Sequence, residues 1–295
     1  MARSMSLETR QAITAYLFLI APIAYFLLYF FYPILLEFWA SLFRGQPLIG
    51  QSSFSGLANY VEAINDRRVR QSLVVTLIYA FGTTAATVVI GLGLAVLVSG
   101  PIKGSRFFQA VIFFPYIISY VIVALMWKSI LDPYTGILNS TLIALGLPTQ
   151  NWLGDTQTAL PTLIGITVWK DAGYAMLIYL AALQSIPATF YEAASIDGAT
   201  PAQEFRYLTL PLLMPTTLFI VVIGMITHLQ DLSPAYLITS GGPADATRLY
   251  GLFVFNTAFR ELNIGYASAL SFMMFLVILA VTAVQFKLGS REIRY

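Results

Sequence analysis

Apolar residues run through this chain in long blocks. Six blocks reach the roughly 20 residues that a helix needs to cross a bilayer core: 13–43, 71–99, 107–130, 160–185, 213–238 and 265–288. Each stretch between them holds Gly, Pro or charge. Short segments of alternating hydrophobicity, which a transmembrane barrel requires, do not recur. The pattern predicts an all-α membrane protein with six transmembrane helices. The first block exceeds the length of a crossing and contains Pro22 and Pro33, which predicts tilt or a kink there. It is also far longer than the apolar core of a signal peptide, and no A-x-A-like cleavage site follows, so it reads as a retained span.

Composition narrows the function classes. Only 10% of residues are charged and 58% are hydrophobic, against about 25% charged in soluble domains. The absence of cysteine and the single histidine exclude disulfides, thiol catalysis and a multi-histidine metal site. The net charge is +2, and no basic block with interleaved aromatics points to nucleic acid. No G-x-x-x-x-G-K-[ST] phosphate cradle occurs, because the glycines and lysine of "GPIKGS" are wrongly spaced. No cofactor is therefore expected on this chain, and ATP with Mg, if used, belongs to another one. No Ser-His-Asp arrangement is available either, since His228 lies within an apolar block; the chain is not read as an enzyme.

Six spans put both termini on one side of the bilayer. The tails with the second and fourth connections carry Arg3, Arg10, Lys103, Arg106, Arg206, Lys287, Arg291 and Arg294. The opposite loops carry Arg44, Arg67, Arg68, Arg70, Arg248 and Arg260. The positive-inside rule favours termini in the cytoplasm. The division expected is a cytoplasmic tail at 1–12, a membrane domain at 13–288 and a second tail at 289–295.

One connection is unusually structured. Residues 192–215 read "EAASIDGATPAQEFRYLTLPLLMP". Thr189-x-x-Glu192 and Thr200-x-x-Gln203 both match the capping box that starts a helix, the second with Pro201 at the first helical position. Asp197-Gly198 reads as a helix end, because glycine enters the left-handed region without a steric penalty. Pro211 is expected to end the second short helix before the fifth span. Two short helices with a tight turn between them are predicted.

That stretch resembles the EAA loop of ABC-importer permeases, whose core is EAA, then Gly, then a Leu-Pro. Glu192, Ala193, Ala194, Asp197, Gly198, Ala199, Leu210, Pro211 and Pro215 fall on the pattern, with Leu208 where Ile is common. The flanking "VWKDAGYAMLIYLAALQSIPATFYEAA", "YLITSGGPADATRLYGLFVFNTAF", "NIGYASALSF", "FSGLANYVEAI" and "FFPYIISYVIVALMWKSIL" resemble the carbohydrate-uptake branch of the same family. The resemblance runs from about residue 13 to 288. It implies a permease of the bacterial or archaeal inner membrane that pairs with a second, related permease. Two ATPase subunits would bind beneath, and an extracytoplasmic binding protein would deliver a sugar or sugar-like solute, whether saccharide, polyol or glycerol phosphate. Residues 188–215 would be the coupling loop, entering a cleft on one ATPase. Glu192 has two readings, a contact with that partner or a cap of the first short helix. Asp197 has the same pair of readings.

Ionisable and polar groups inside spans mark pathways by default, because burying them in hydrocarbon is costly. The fourth span carries Thr167, Lys170 and Asp171. The fifth carries Gly224, His228, Gln230 and Asp231, with His228 and Asp231 three apart and so on one helical face. Gly224, four before His228, leaves room on that face. Tyr116 and Tyr120, four apart behind Pro115, offer rings and hydroxyls of the kind that suit a sugar. Each of these residues also has a plain structural reading as a bundle or interface group. Two other functions fit the hydropathy pattern: a self-contained carrier driven by an ion gradient, for which no internal repeat is seen, and a membrane scaffold whose residues 188–210 bind a protein.

Overall fold

The computed structural model describes residues 7–47, 50–100 and 103–289. The two ends of the expected tails, residues 1–6 and 290–295, lie outside them. The described chain is helical apart from one short hairpin. Helix α1 (Leu7–Phe26) passes through a π turn at Leu27–Phe31 into α2 (Tyr32–Ser41). The stretch apolar enough for a membrane begins at Thr14. The π turn lies just before Pro33, which has no N–H to donate to the preceding turn, and a wider turn absorbs that missing bond. Strands β1 (Phe43–Gln46) and β2 (Gln51–Phe54) pair antiparallel with Phe43 opposite Phe54. Then follow α3 (Ala58–Asn65), α4 (Arg67–Ser99), α5 (Ser105–Ile117), α6 (Tyr120–Ile130), α7 (Ile137–Ala144) and α8 (Ala159–Ser185). Beyond them lie α9 (Ala188–Ile196), α10 (Pro201–Glu204), α11 (Leu210–Leu212), α12 (Met214–Leu229), α13 (Tyr250–Phe259) and α14 (Ile264–Gly289).

Two of the expected spans and one expected helix end differ from the pattern. The third is not one helix: α5 and α6 meet at 99°. Ser119 alone dilutes the apolar run at the junction, too little for hydropathy to show the break. Ile118 and Ser119 are extended there, with ψ near 137° and 139°. The fifth is shorter than 213–238, since α12 ends at Leu229 and the chain resumes as a π turn over Ala235–Thr239. Nor does Pro211 end its helix. It follows directly on the π turn Phe205–Thr209, as Pro33 follows its own, within one continuous helix, and the chain bends by 59° only between Leu212 and Met214. Among the described residues four helices are long and apolar enough to cross a bilayer alone, and the two bent pairs bring the number to six if each counts as one span.

The contacts gather the chain into two units, within residues 1–65 with 254–274 and within residues 66–253 with 275–295. In the first, buried Asn59 donates from Nδ2 to the carbonyls of Ser41 and Phe43, both at 2.8 Å, and so ties α3 to the end of α2 and the hairpin. The rings of Phe38 and Phe272 pack 5.0 Å apart. The most apolar part of the first span is wholly exposed.

In the second unit α4 and α8 pack along each other, with α5 against α8 and α12 against α4. Small residues allow the approach: a side chain at Gly173 would collide with the Ile112 carbonyl of α5. This is the usual device where backbones must come close within a bilayer. Two apolar cores form on this pair. One gathers Val75, Tyr79, Val123, Leu163, Ile166 and Leu252. The other gathers Ala95, Val98, Met176, Tyr179, Leu213 and Ile220. Between the two cores α4 buries Thr83, Thr84 and Thr87, and α8 buries Thr167 and Lys170 beside Asp171. Beyond the membrane helices, buried Asn139 accepts from Trp152 Nε1 (3.0 Å) and the Gln150 N–H (3.2 Å) and donates to the Pro133 and Gln150 carbonyls, fastening the loop around α7. Asp132 closes a turn there, and the N–H groups of Thr135 and Tyr134 hold its carboxyl below the usual carboxylate range.

Candidate functional site

The polar layer between the two cores contains most of the residues singled out from the sequence. His228, 3% exposed, sits near the end of α12 with its ring between two partners. Its Nε2 is 3.2 Å from Asp171 Oδ2 and its Nδ1 is 2.9 Å from Thr84 Oγ1. A carboxylate can only accept, so Nε2 carries the proton toward Asp171; with a neutral ring, Thr84 then donates to Nδ1. Gly224 lies one turn earlier. A side chain there would press on Thr84 and approach the His228 ring, so the absence of one keeps the space open.

A second chain of hydrogen bonds runs beside the first. Tyr120 Oη and Thr167 Oγ1 are 2.9 Å apart, Thr167 Oγ1 and Tyr79 Oη 3.0 Å, and Tyr79 Oη donates to Asp231 Oδ2 at 3.0 Å. Asp231 also accepts from the Ser233 N–H at 3.2 Å. His228 and Asp231 therefore do not share a helical face. The helix stops between them, and each carboxylate of the layer has its own partners. Tyr116 and Tyr120 are likewise separated by the break between α5 and α6. Tyr116 stacks on Tyr174 with ring centres 4.7 Å apart and planes 13° apart, while Tyr120 opens α6 and reaches Thr167.

Lys170 has a different occupation from the one expected. Its Nζ donates to the carbonyls of Pro115 (3.2 Å), Tyr116 (2.8 Å) and Ile118 (2.9 Å), and lies 5.5 Å from the ring centres of both Tyr116 and Tyr120. The Pro115 carbonyl also accepts from the Ile118 N–H at 3.3 Å, whereas those of Tyr116 and Ile118 lie at the end of α5, where helical donors run out. Away from water each would be costly to leave bare, and the lysine supplies all three bonds.

A cavity of about 120 Å³ opens in this layer. Its wall includes Tyr116, Asp171, Tyr174, Gly224 and His228, with Thr84 and Thr87 from α4. Of the residues named from the sequence, Thr167, Lys170 and Asp231 stand behind it, and exposed Gln230 ends α12 without lining it. Sequence reasoning missed Tyr79, Thr84, Thr87 and Tyr174. The threonines of α4 carried a signal, a run of hydroxyls at 76, 83, 84 and 87 in an otherwise apolar helix.

The second feature is the connection after α8. Helix α9 begins behind Pro187 with no side-chain cap. The Thr189–Glu192 capping box is therefore absent, and capping is removed as a role for Glu192. Pro187, with no N–H and a fixed φ, supplies the start instead. Glu192 is exposed, with no hydrogen-bond partner among the described residues. The end of α9 is as expected. Gly198 takes φ +74°, its N–H reaches the Ser195 carbonyl at 3.1 Å, and the Ala199 N–H reaches the Ala194 carbonyl at 3.0 Å. Both bonds of a glycine-terminated helix end are present. The capping box at Thr200 is present: the Thr200 N–H donates to Gln203 Oε1 at 2.8 Å and the Gln203 N–H to Thr200 Oγ1 at 3.4 Å. Between these elements lies an open cleft with Ala194, Asp197, Gly198 and Tyr207 on its wall. Ile196 beside it is 87% exposed.

The family model described as "Binding-protein-dependent transport system inner membrane component" matches residues 87–294. The chain belongs to that family. It is 35% identical to the probable ABC transporter permease protein YurN of Bacillus subtilis, over 96% of this chain and 99% of that one. It is 32% identical to the trehalose/maltose transport system permease protein MalF of Thermococcus litoralis, over 96% of each. The fold is that of a solved bacterial alginate ABC transporter chain, with a TM-score of 0.82 at 22% identity over 96% of both chains. This inner-membrane family accounts for the resemblance of the 192–215 stretch. It also decides against an ion-coupled carrier and a bare scaffold: the chain is a transport component.

Proposed function

We propose that this permease carries a carbohydrate-like solute through the polar layer of its second unit. It would do so as one half of a permease pair, driven by two ATPase subunits and fed by an extracytoplasmic binding protein. The observation that carries the reading is the cavity itself. Stacked tyrosine rings, an imidazole held by Asp171 and hydroxyls of α4 face one space between two dry cores. Rings suit the C–H faces of a sugar, and fixed polar groups suit its hydroxyls. Relatives that transport trehalose/maltose or sn-glycerol 3-phosphate by name support the class. Tyr116, Asp171, Gly224 and His228 form the contact wall, and Tyr120, Thr167, Lys170 and Asp231 hold it in place.

The exposed cleft at Gly198 is the docking element. Ala193, Ala194 and Ala199 admit a close partner surface, Glu192 and Asp197 offer charge, and Leu210-Pro211 return the chain toward α12. ATP and Mg belong to the ATPase partners, and the termini, including the tails at 1–12 and 289–295, face the cytoplasm. Two measurements test this. Deleting the chain should abolish uptake of a carbohydrate in cells. A cysteine at Ala194 should crosslink to one on the ATPase in native membranes. Crosslinking that fails across several partner positions would remove the docking role.

A further inference from the structure

The charge of the cavity wall narrows the solute class, and this step rests on the carbohydrate reading above. One basic and one acidic residue, adjacent in sequence, approach the cavity, and the fold uses them in opposite ways. An ammonium has three N–H donors. Those of Lys170 go to the Pro115, Tyr116 and Ile118 carbonyls, and the residue is 7% exposed. It is absent from the cavity wall. Asp171 is in that wall, its side chain 21% exposed and its Oδ2 facing His228 Nε2. Thr87, 6% exposed with its Oγ1 lacking any partner, lies in the same wall as a free hydroxyl. Among the described residues the wall thus presents a carboxylate, an imidazole, hydroxyls, two stacked rings and the apolar side chains of Ala175, Ile220 and Ile223, with no lysine or arginine.

An anion at membrane depth needs a fixed counter-charge; among the described residues no lysine or arginine lines the cavity, and the Lys170 ammonium is committed to the broken helix. A neutral solute needs hydrogen-bond partners and a ring face, and both are present. We infer that the solute is an uncharged polyhydroxylated molecule, and that Asp171 excludes its anionic analogues, uronates and glycerol phosphates among them.

The test has two parts. In cells carrying the whole transporter, uptake of labelled glycerol, maltose and trehalose is compared with that of glucuronate and glycerol 3-phosphate, before and after deletion of this chain. Loss confined to uncharged probes is expected. Loss of an anionic probe overturns the inference and leaves the importer reading standing, whereas loss of neither class overturns the carbohydrate reading itself. Equilibrium dialysis of the purified permease–ATPase complex then compares the uncharged probe found in cells with its acid counterpart, in which one terminal carbinol is a carboxylate. The acid should bind at least about tenfold more weakly, the scale of a like-charge clash in a partly buried site. In Asp171→Asn the ratio should fall below about threefold as that repulsion is removed. A wild-type ratio near one, or a ratio unchanged by Asp171→Asn, overturns the inference. Should the variant fail to assemble, the wild-type ratio still decides.

Discussion

The proposed function gives two single residues separable roles. Gly198 has open space around the position of a side chain, so a substitution there acts through the backbone and not through a clash. Holding valine at φ +74° costs about 1–2 kcal/mol and alters the angle between α9 and α10. Gly198→Val should leave membrane insertion intact and lower uptake at least about tenfold, equivalent to roughly 1.4 kcal/mol in coupling; normal uptake would contradict a coupling role. His228→Ala removes the group shared by Thr84 and Asp171 and leaves two polar side chains of the cavity wall unpaired. Solute-stimulated ATP hydrolysis by the assembled transporter should fall by about tenfold or more. His228→Gln, which keeps one donor, should retain more of it. An unchanged response in the alanine variant would take His228 out of the pathway. Residue types were legible in the sequence because His228, Asp171 and Lys170 interrupt apolar runs. Their partners were not legible, since Thr84, Thr87 and Tyr174 are ordinary residues of a membrane helix until the packing of α4, α8 and α12 brings them together.

Among the elements, the break between α5 and α6 is the largest departure from the hydropathy pattern. In "PYIISYVIV" only Ser119 dilutes the apolar run, and Pro115 alone is tolerated in α5. The 99° turn is stabilised by Lys170, a residue 52 positions beyond Ile118. That dependence is a long-range contact, and periodicity carries no trace of it. Lys170→Met leaves the Tyr116 and Ile118 carbonyls without donors, at a cost of about 1–3 kcal/mol each, while the Pro115 carbonyl keeps the Ile118 N–H. The detergent-solubilised complex should unfold about 5 °C or more below the wild type. Lys170→Arg should recover part of the loss, because its charge remains but its planar fork meets three divergent oxygens poorly. An unchanged melting temperature for Lys170→Met would show that the break is held by other contacts. The short helices at 188–204 were more readable. Their turn and second cap follow from Gly198, Thr200, Pro201 and Gln203, all local in sequence. The first cap was misread because Thr189 and Glu192 have the right spacing but Pro187 already sets the start.

For the whole molecule, the first span leaves the most apolar part of its surface uncovered, as fits a chain whose remaining neighbours are lipid and other subunits. Purified alone, it should hydrolyse no ATP. Co-purified with its ATPase partners, it should confer hydrolysis stimulated by the loaded binding protein, read as phosphate release. Stimulation in a complex lacking this chain would assign the coupling elsewhere.

Helix α8 joins two of these features in one piece of backbone. Lys170 lies 15 residues before Ser185, about 22 Å along an α-helix, and α9 begins only three residues after that end. An unbroken helix of this length transmits axial and rolling displacements between its ends with little loss. The end of α5 is fastened to Lys170 and the wall carboxylate is the next residue, so on the proposed function a push on the hairpin at 188–204 would reach the cavity as a displacement of its wall. The proposed function would thus make selectivity and motion properties of one helix, since the shaft that would carry the load also holds the carboxylate of the cavity wall.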